Sequence, residues 1–490
     1  MYNDSDYCTK VWVTFMKCLL SQADTGFRNR LNRFLNTPYY IICMMLAGLL
    51  GNLLSLELVT FTVYVAVGVY VCVATDDLLP MTPLFLYCYI TPSRQNNPGL
   101  SATSSFASGL GGIWLASISG LLVLAMVYFV IRHRKRYFVR KQALLLGMLI
   151  LSGAYMLSGI GSTAYPDSLG QNLLFSFMQA VALTAPYFLL RGGIRWGTVR
   201  GDYLAWIGMC SGFMLLSQIL QCYLFSHVVV DGVIHRTLIY SGWGMYNNIG
   251  TMLAIAIPFP FYLSTRHRKG WIGILIASVF LFGIVMTCSR NSLIFGVAVF
   301  LICTVLTLLY SHNRKYNLIT LTAVFGTTTV LLVIFHRQIL NLFSELISMG
   351  LDPSSRDDIY VEGLKLFSKW PVFGASFFSP EFLPWDFSRL ESFSGFIPPR
   401  WHNTFVQLLA SCGLVGMGAY LFHRFQTIRL FLKCRSMEQI FITVSLITLL
   451  LSSLLDCHFF NLGPCLYYSA ALAFVEMLPA SKKCSHCRHI

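Results

Sequence analysis

NSLIFGVAVFLICTVLTLLY, residues 291–310, runs for twenty residues without a charge. A helix needs about 20 apolar residues to cross about 30 Å of hydrocarbon. The run is continuous rather than alternating, which selects a helix over a barrel strand, and lipid tolerates little else. Similar runs fall near residues 38–56, 57–75, 78–92, 112–131, 142–161, 170–190, 203–225, 246–264, 271–288, 317–336, 404–422, 438–456 and 464–478. The 490-residue chain is 56% hydrophobic and 11% charged. It is therefore expected to be an all-α polytopic membrane protein with about 12–14 transmembrane helices. The stretch 78–92, broken by Pro80 and Pro83, either crosses or re-enters the bilayer.

The net charge of +15 would suggest nucleic acid in a soluble protein. Here it follows orientation, because Lys and Arg collect on the cytoplasmic side of spans. The basic connectors 132–141, 191–200, 266–270, 311–315 and 423–435, with the basic tail, occur at every second connection. This alternation predicts that both ends are cytoplasmic. Residues 1–37 form a cytoplasmic segment with a possible interfacial helix, Arg28, Arg30 and Arg33 near lipid headgroups. Residues 38–336 form a helical bundle, 337–403 a large extracytoplasmic loop, 404–478 the C-terminal spans and 479–490 the tail. The 15 cysteines are scattered, many in apolar runs, and make no disulfide framework. Cys484, His486, Cys487 and His489 have zinc-ligand types, but are too terminal for a closed site, so no metal or other cofactor is expected. Within the loop, Asp352 or Ser354 caps a predicted amphipathic helix ending before Pro371.

Positive charge should be scarce on the outer side, yet Arg236, Arg290, Arg356, Arg400 and His402 all map there. Arg236 precedes the span that begins near Tyr246, Arg290 follows Ser289 at a hairpin tip, and His402 opens the span beginning at Thr404. Those spans present helix N-termini outward, where unsatisfied N–H groups and about half a positive charge suit phosphate. Arginine adds a planar two-pronged donor. Cationic surroundings would keep a histidine ring neutral and able to act as a base. Plainer readings stand beside these. Arg290 could rest among headgroups, Arg356 could pair with Asp357, Asp358 or Glu362, and His402 could be an interface residue beside the N-cap Asn403.

At these residues the chain resembles the O-antigen ligase and polymerase superfamily, membrane glycosyltransferases that use polyprenyl-diphosphate-linked glycans. SRNSLIFG (289–296), SRDDIYVEGLKLFSKWPVFG (355–374) and HNTFVQLLASCGLVG (402–416) resemble, in order, the family's Ser-Arg start, its loop helix ending in Pro-x-x-Gly, and its His-Asn helix start followed by Gly-Leu-x-Gly. YNNIG (246–250), with Asn247, resembles a further Asn-containing helix start. Departures are Ser411 and Cys412 where an acid often precedes the glycine, and Ser376 where a second glycine is usual.

The resemblance implies a GT-C-like fold and an inverting, metal-independent transferase of the plasma (inner) membrane, with its site on the extracytoplasmic side. The donor would be a polyprenyl-diphosphate-linked glycan and the acceptor a glycan or glycolipid hydroxyl, among membrane lipids and without nucleic acid. His402 would be the general base, Arg290 and Arg236 the diphosphate ligands, and Arg356, Asn403, Arg400, Ser289 and Asn247 supporting residues. Ligation and polymerisation share this chemistry. A non-enzymatic flippase of lipid-linked saccharides is the alternative. It would string cations along a pathway rather than gather them at one face.

Overall fold

The computed structural model describes residues 25–91, 109–139, 143–163, 165–197, 201–241, 244–267, 269–311, 313–344, 356–379, 400–434 and 436–478. The zinc-ligand tail, Asp352, Ser354 and the first 24 residues lie outside these.

The helices, in order, are α1 Thr25–Leu35, α2 Pro38–Leu53, α3 Glu57–Ala74, α4 Met81–Ile90, α5 Gly109–Arg132, α6 Arg134–Val139, α7 Leu145–Met156, α8 Tyr165–Gly193, α9 Gly201–Phe225, α10 Tyr246–Ala256, α11 Pro258–Arg266, α12 Trp271–Met286, α13 Arg290–Tyr310, α14 Arg314–Ile334, α15 His336–Leu342, α16 Arg356–Lys369, α17 Thr404–Phe431, α18 Met437–Leu455 and α19 Leu462–Met477. Two two-stranded ribbons, Val229–Val230 with Val233–Ile234 and Tyr240–Ser241 with Gly244–Met245, lie between α9 and α10.

This is an all-α polytopic membrane protein. Among the described residues, nine helices are long and apolar enough to cross a bilayer, counting α10–α11 as one, and a tenth arises if α1 and α2, bent by 78°, form one broken span. The expected fourteen runs are present, but α4, α7, α12 and α19 are shorter apolar helices. The ten residues of α4 reach only about 15 Å, so the doubtful stretch near 78–92 does not span alone. The predicted connector 423–435 also differs, because α17 continues through it and buries His423 and Arg424.

Protein, rather than lipid, surrounds α10–α11. Its apolar window is 94% buried although it has the lowest mean hydropathy of the nine spans. A helix that faces side chains all round can carry Asn and Thr where a lipid-facing one cannot. It packs against α9, α12, α13 and α18, and its N-terminal end presents Asn247 and Asn248 to the site described below.

Inside the stretch predicted as one long loop, α16 does end before Pro371, and residues 371–379 then dive into the bundle. Ala375, Ser376, Phe377 and Ser379 are buried. Phe377 sits in an aromatic cluster with Tyr155, Phe175 and Phe460. The chain enters where α17 is broken at Gly413, whose backbone (φ 62°, ψ −156°) is non-helical. An unbroken α17 would pair Leu414 N with Ala410 O and Val415 N with Ser411 O. Instead Leu414 N donates to Pro371 O (2.8 Å) and Val415 N to Val372 O (3.1 Å). Ala410 O and Ser411 O accept from Ala375 N (2.8 Å) and Ser376 N (3.1 Å). Two helical bonds are thus replaced by four across the chain, so the N–H and C=O groups freed at these positions are paired again in an apolar interior.

Ser376, where the resemblance expects glycine, adopts φ 86°. L-residues resist that region and β-branched ones most of all. We expect Ser376→Gly to leave the melting temperature unchanged or higher, and Ser376→Val to lower it by several degrees. A valine variant as stable as the parent would show that this backbone is not constrained.

Candidate active site

Asn403 fixes the start of α17. Its Oδ1 accepts from Phe405 N (2.8 Å) and Val406 N (3.2 Å), the expected N-cap. Its Nδ2 donates to Leu454 O (3.0 Å), and Thr404 Oγ1 donates to Ser453 O (2.6 Å). These bonds tie the start of α17 to the end of α18. Arg356 Nη1 reaches the same helix end at Leu455 O (2.8 Å). A basic group at a helix C-terminus meets the negative end of its dipole.

Next to that end is Asp456, a residue the sequence reading did not single out. His402 Nδ1 stands 3.2 Å from Asp456 Oδ1, which also accepts from Cys457 N (2.8 Å). Burial pushes the Asp456 carboxyl up, but His458, His402 and Arg356 outweigh it and hold the group well below the usual carboxylate range. An ionised carboxylate can only accept, so Nδ1 of His402 carries a proton, and in the neutral ring the lone pair is then on Nε2. Where the sequence implied only cations around this ring, the structure adds an orienting anion.

His402 is also held at φ 49°. Strained non-glycine backbone of this kind gathers at functional sites.

His458, two residues on, faces the same carboxylate at 4.0 Å but plays a different part. Its Nδ1 bonds Asn248 Oδ1 (3.0 Å) and its Nε2 bonds Thr251 Oγ1 (3.0 Å), so both nitrogens are used. Burial pushes its pKa down. Its side chain is 1% exposed, against 31% for His402. Of the two rings, His402 is the one open to solvent.

The network continues to the other predicted residues. Asn461 Nδ2 donates to Asn248 Oδ1 (3.1 Å), and Arg400 bonds Asn461 Oδ1 (2.7 Å) and Cys457 O (3.3 Å). Asn247 Oδ1 accepts from Ser289 Oγ (2.7 Å), and Ser289 caps α13 at Ser292 N. Arg290 is therefore the first residue of α13, half-buried at its N-terminus. Arg236 precedes α10, its guanidinium 5.1 Å from the Tyr246 ring and its Nε buried with no hydrogen-bond partner among the described residues. All eight residues singled out from the sequence thus adjoin one hydrogen-bonded assembly around the ends of α10, α13, α17 and α18.

Beneath it, Arg424 is enclosed by Tyr420 (4.5 Å), Phe459 (4.5 Å) and Tyr468 (4.8 Å). This stacking secures the turn that carries Asp456 and His458. Among the described residues, no group of three or more His, Cys, Asp or Glu side chains is arranged for a metal ion.

No curated protein matches the chain. Residues 253–421 match the model of the O-antigen ligase family. The match takes in Ser289, Arg290, Arg356, Arg400, His402 and Asn403, while Arg236 and Asn247 precede it and Asp456 follows it. Over this region, about a third of its length, the chain is similar to the O-antigen ligase family.

Proposed function

We propose that the protein transfers a glycan from a polyprenyl diphosphate carrier to an acceptor hydroxyl at the outer face of the plasma membrane. The observation that carries this reading is the His402–Asp456 pair, in which the imidazole is partly exposed and the carboxylate buried, near the cationic start of α13. His402 Nε2 takes the acceptor proton as that oxygen attacks the anomeric carbon. The bond from that carbon to the diphosphate oxygen breaks on the opposite face, so configuration inverts. Arg290 and Arg236, with the N–H groups at the start of α13, receive the charge that develops on the diphosphate. Asp456 holds the ring in the Nδ1–H tautomer and stabilises the imidazolium that forms.

The test is the length distribution of lipid-linked glycans in cells lacking the protein, with or without complementation. Accumulated single repeat units, elongated only by the native chain, identify a polymerase. Accumulated long lipid-linked polymer identifies a ligase. An unchanged distribution of lipid-linked glycans overturns the proposal.

Asp456→Asn should slow transfer about 10²-fold, because an amide can donate to Nδ1 and so favours the wrong tautomer. Initial rates on a lipid-linked donor check this. A rate within twofold of the parent would remove Asp456 from the mechanism.

A further inference from the structure

We propose that the cleft between α13 and α14 binds an anionic phospholipid, with one acyl chain in the cleft and the phosphate against Arg314 and Lys315. Only 11% of the apolar window of α14 is buried, the least of the nine spans. Its buried side chains, Asn317 and Leu321, both lie in its first eight residues. Beyond Leu321 the helix stands off the bundle and leaves a cleft of about 430 Å³, lined by Thr304 and Leu308 of α13 and by Leu318, Leu321 and Phe325 of α14. At Gly326 an added Cβ would meet nothing within 4 Å.

The lining runs from Leu318 to Thr329, roughly 18 Å of helix, a length that an extended hydrocarbon chain can follow.

Charge supplies the second half of the argument. Arg314 and Lys315 stand four and three residues before Leu318, on the face that lines the cleft. Arg314 Nη2 donates to Leu309 O, beside Leu308, so its guanidinium lies across the end of the cleft. Asn313 Nδ2 bonds His267 O (3.5 Å), which brings the connector carrying exposed Lys269 alongside. An apolar slot closed at one end by cations is the complement of an acyl chain with an anionic headgroup.

The test compares lipid retained by purified protein from membranes of phosphatidylglycerol and phosphatidylethanolamine, measured by native mass spectrometry. The parent should retain phosphatidylglycerol at least tenfold over phosphatidylethanolamine. Gly326→Leu places a side chain in the cleft, and leucine favours helix over glycine, so the fold is kept. It should lower retained phosphatidylglycerol at least tenfold. Gly120→Leu, at a second open position on α5, should not. Arg314→Gln with Lys315→Gln should abolish the headgroup preference. Equal retention by parent and Gly326→Leu would mean annular lipid only. Conversion of a dimer to a monomer by Gly326→Leu would mean that a second copy fills the cleft. Either result overturns the proposal.

Discussion

His402→Ala should lower glycan transfer by about 10²–10⁴-fold, the usual contribution of a positioned general base. The side chain is half-buried, and its only described side-chain bond runs to Asp456, so little packing is lost. The backbone needs separate care, because φ is 49° and alanine is a poorer occupant of that region than histidine or asparagine. His402→Asn therefore isolates the chemistry. It keeps a residue that tolerates the left-handed conformation, yet its amide has no basic nitrogen. Both variants should be made in near-native amount, with Asn the more stable, and both should accumulate the unprocessed lipid-linked donor. Transfer by His402→Asn within tenfold of the parent would mean that the acceptor proton leaves by another route, and the role assigned to His402 would fall.

The membrane fold was readable from composition because each apolar run reports its own burial. Helices too short to span were less readable, since protein neighbours rather than length hold α4 and α19 in place. The site divides in the same way. His402 and the arginines stood out as cations in connectors that the alternation of basic loops assigns to the side where cations are scarce. Asp456 did not, although LLLSSLLDCHFF (449–460) sets a lone acid at the end of an apolar span two residues before a histidine. Ionisable residues in such places are functional by default, and that signal was sufficient. Arg424 was hidden differently, since its place in a basic stretch imitates a connector, whereas its aromatic enclosure comes from three separate segments. No sequence signal announces the union of 371–376 with 410–415, because it is made by backbone groups that every residue possesses.

That union is the basis of the largest stability effect we expect. Gly413→Ala should cost about 2–6 kcal/mol. Its backbone (φ 62°, ψ −156°) lies in a region essentially reserved for glycine, worth about 1–3 kcal/mol when another residue is forced there. An added Cβ would also stand 2.5 Å from Val372 O and 2.6 Å from Pro371 O. Both carbonyls are backbone and already bonded to Leu414 and Val415, so relief requires the two segments to part, at a further cost of about 1–3 kcal/mol. Separation would undo the four bonds that close the break. It would also loosen the first half of α17, where Val406 and Ala410 pack with Ile359 and Leu366 of α16 beside Trp401. The residue next to Trp401 is His402, so lost stability and lost activity should appear together. Gly418→Ala on the same helix is the control, since a Cβ there meets nothing within 4 Å and alanine favours helix by about 1 kcal/mol. In detergent, Gly413→Ala should give little monodisperse protein and a melting temperature lowered by many degrees, while Gly418→Ala matches or exceeds the parent. Equal behaviour of the two variants would mean that the break in α17 is not held by the 371–376 segment.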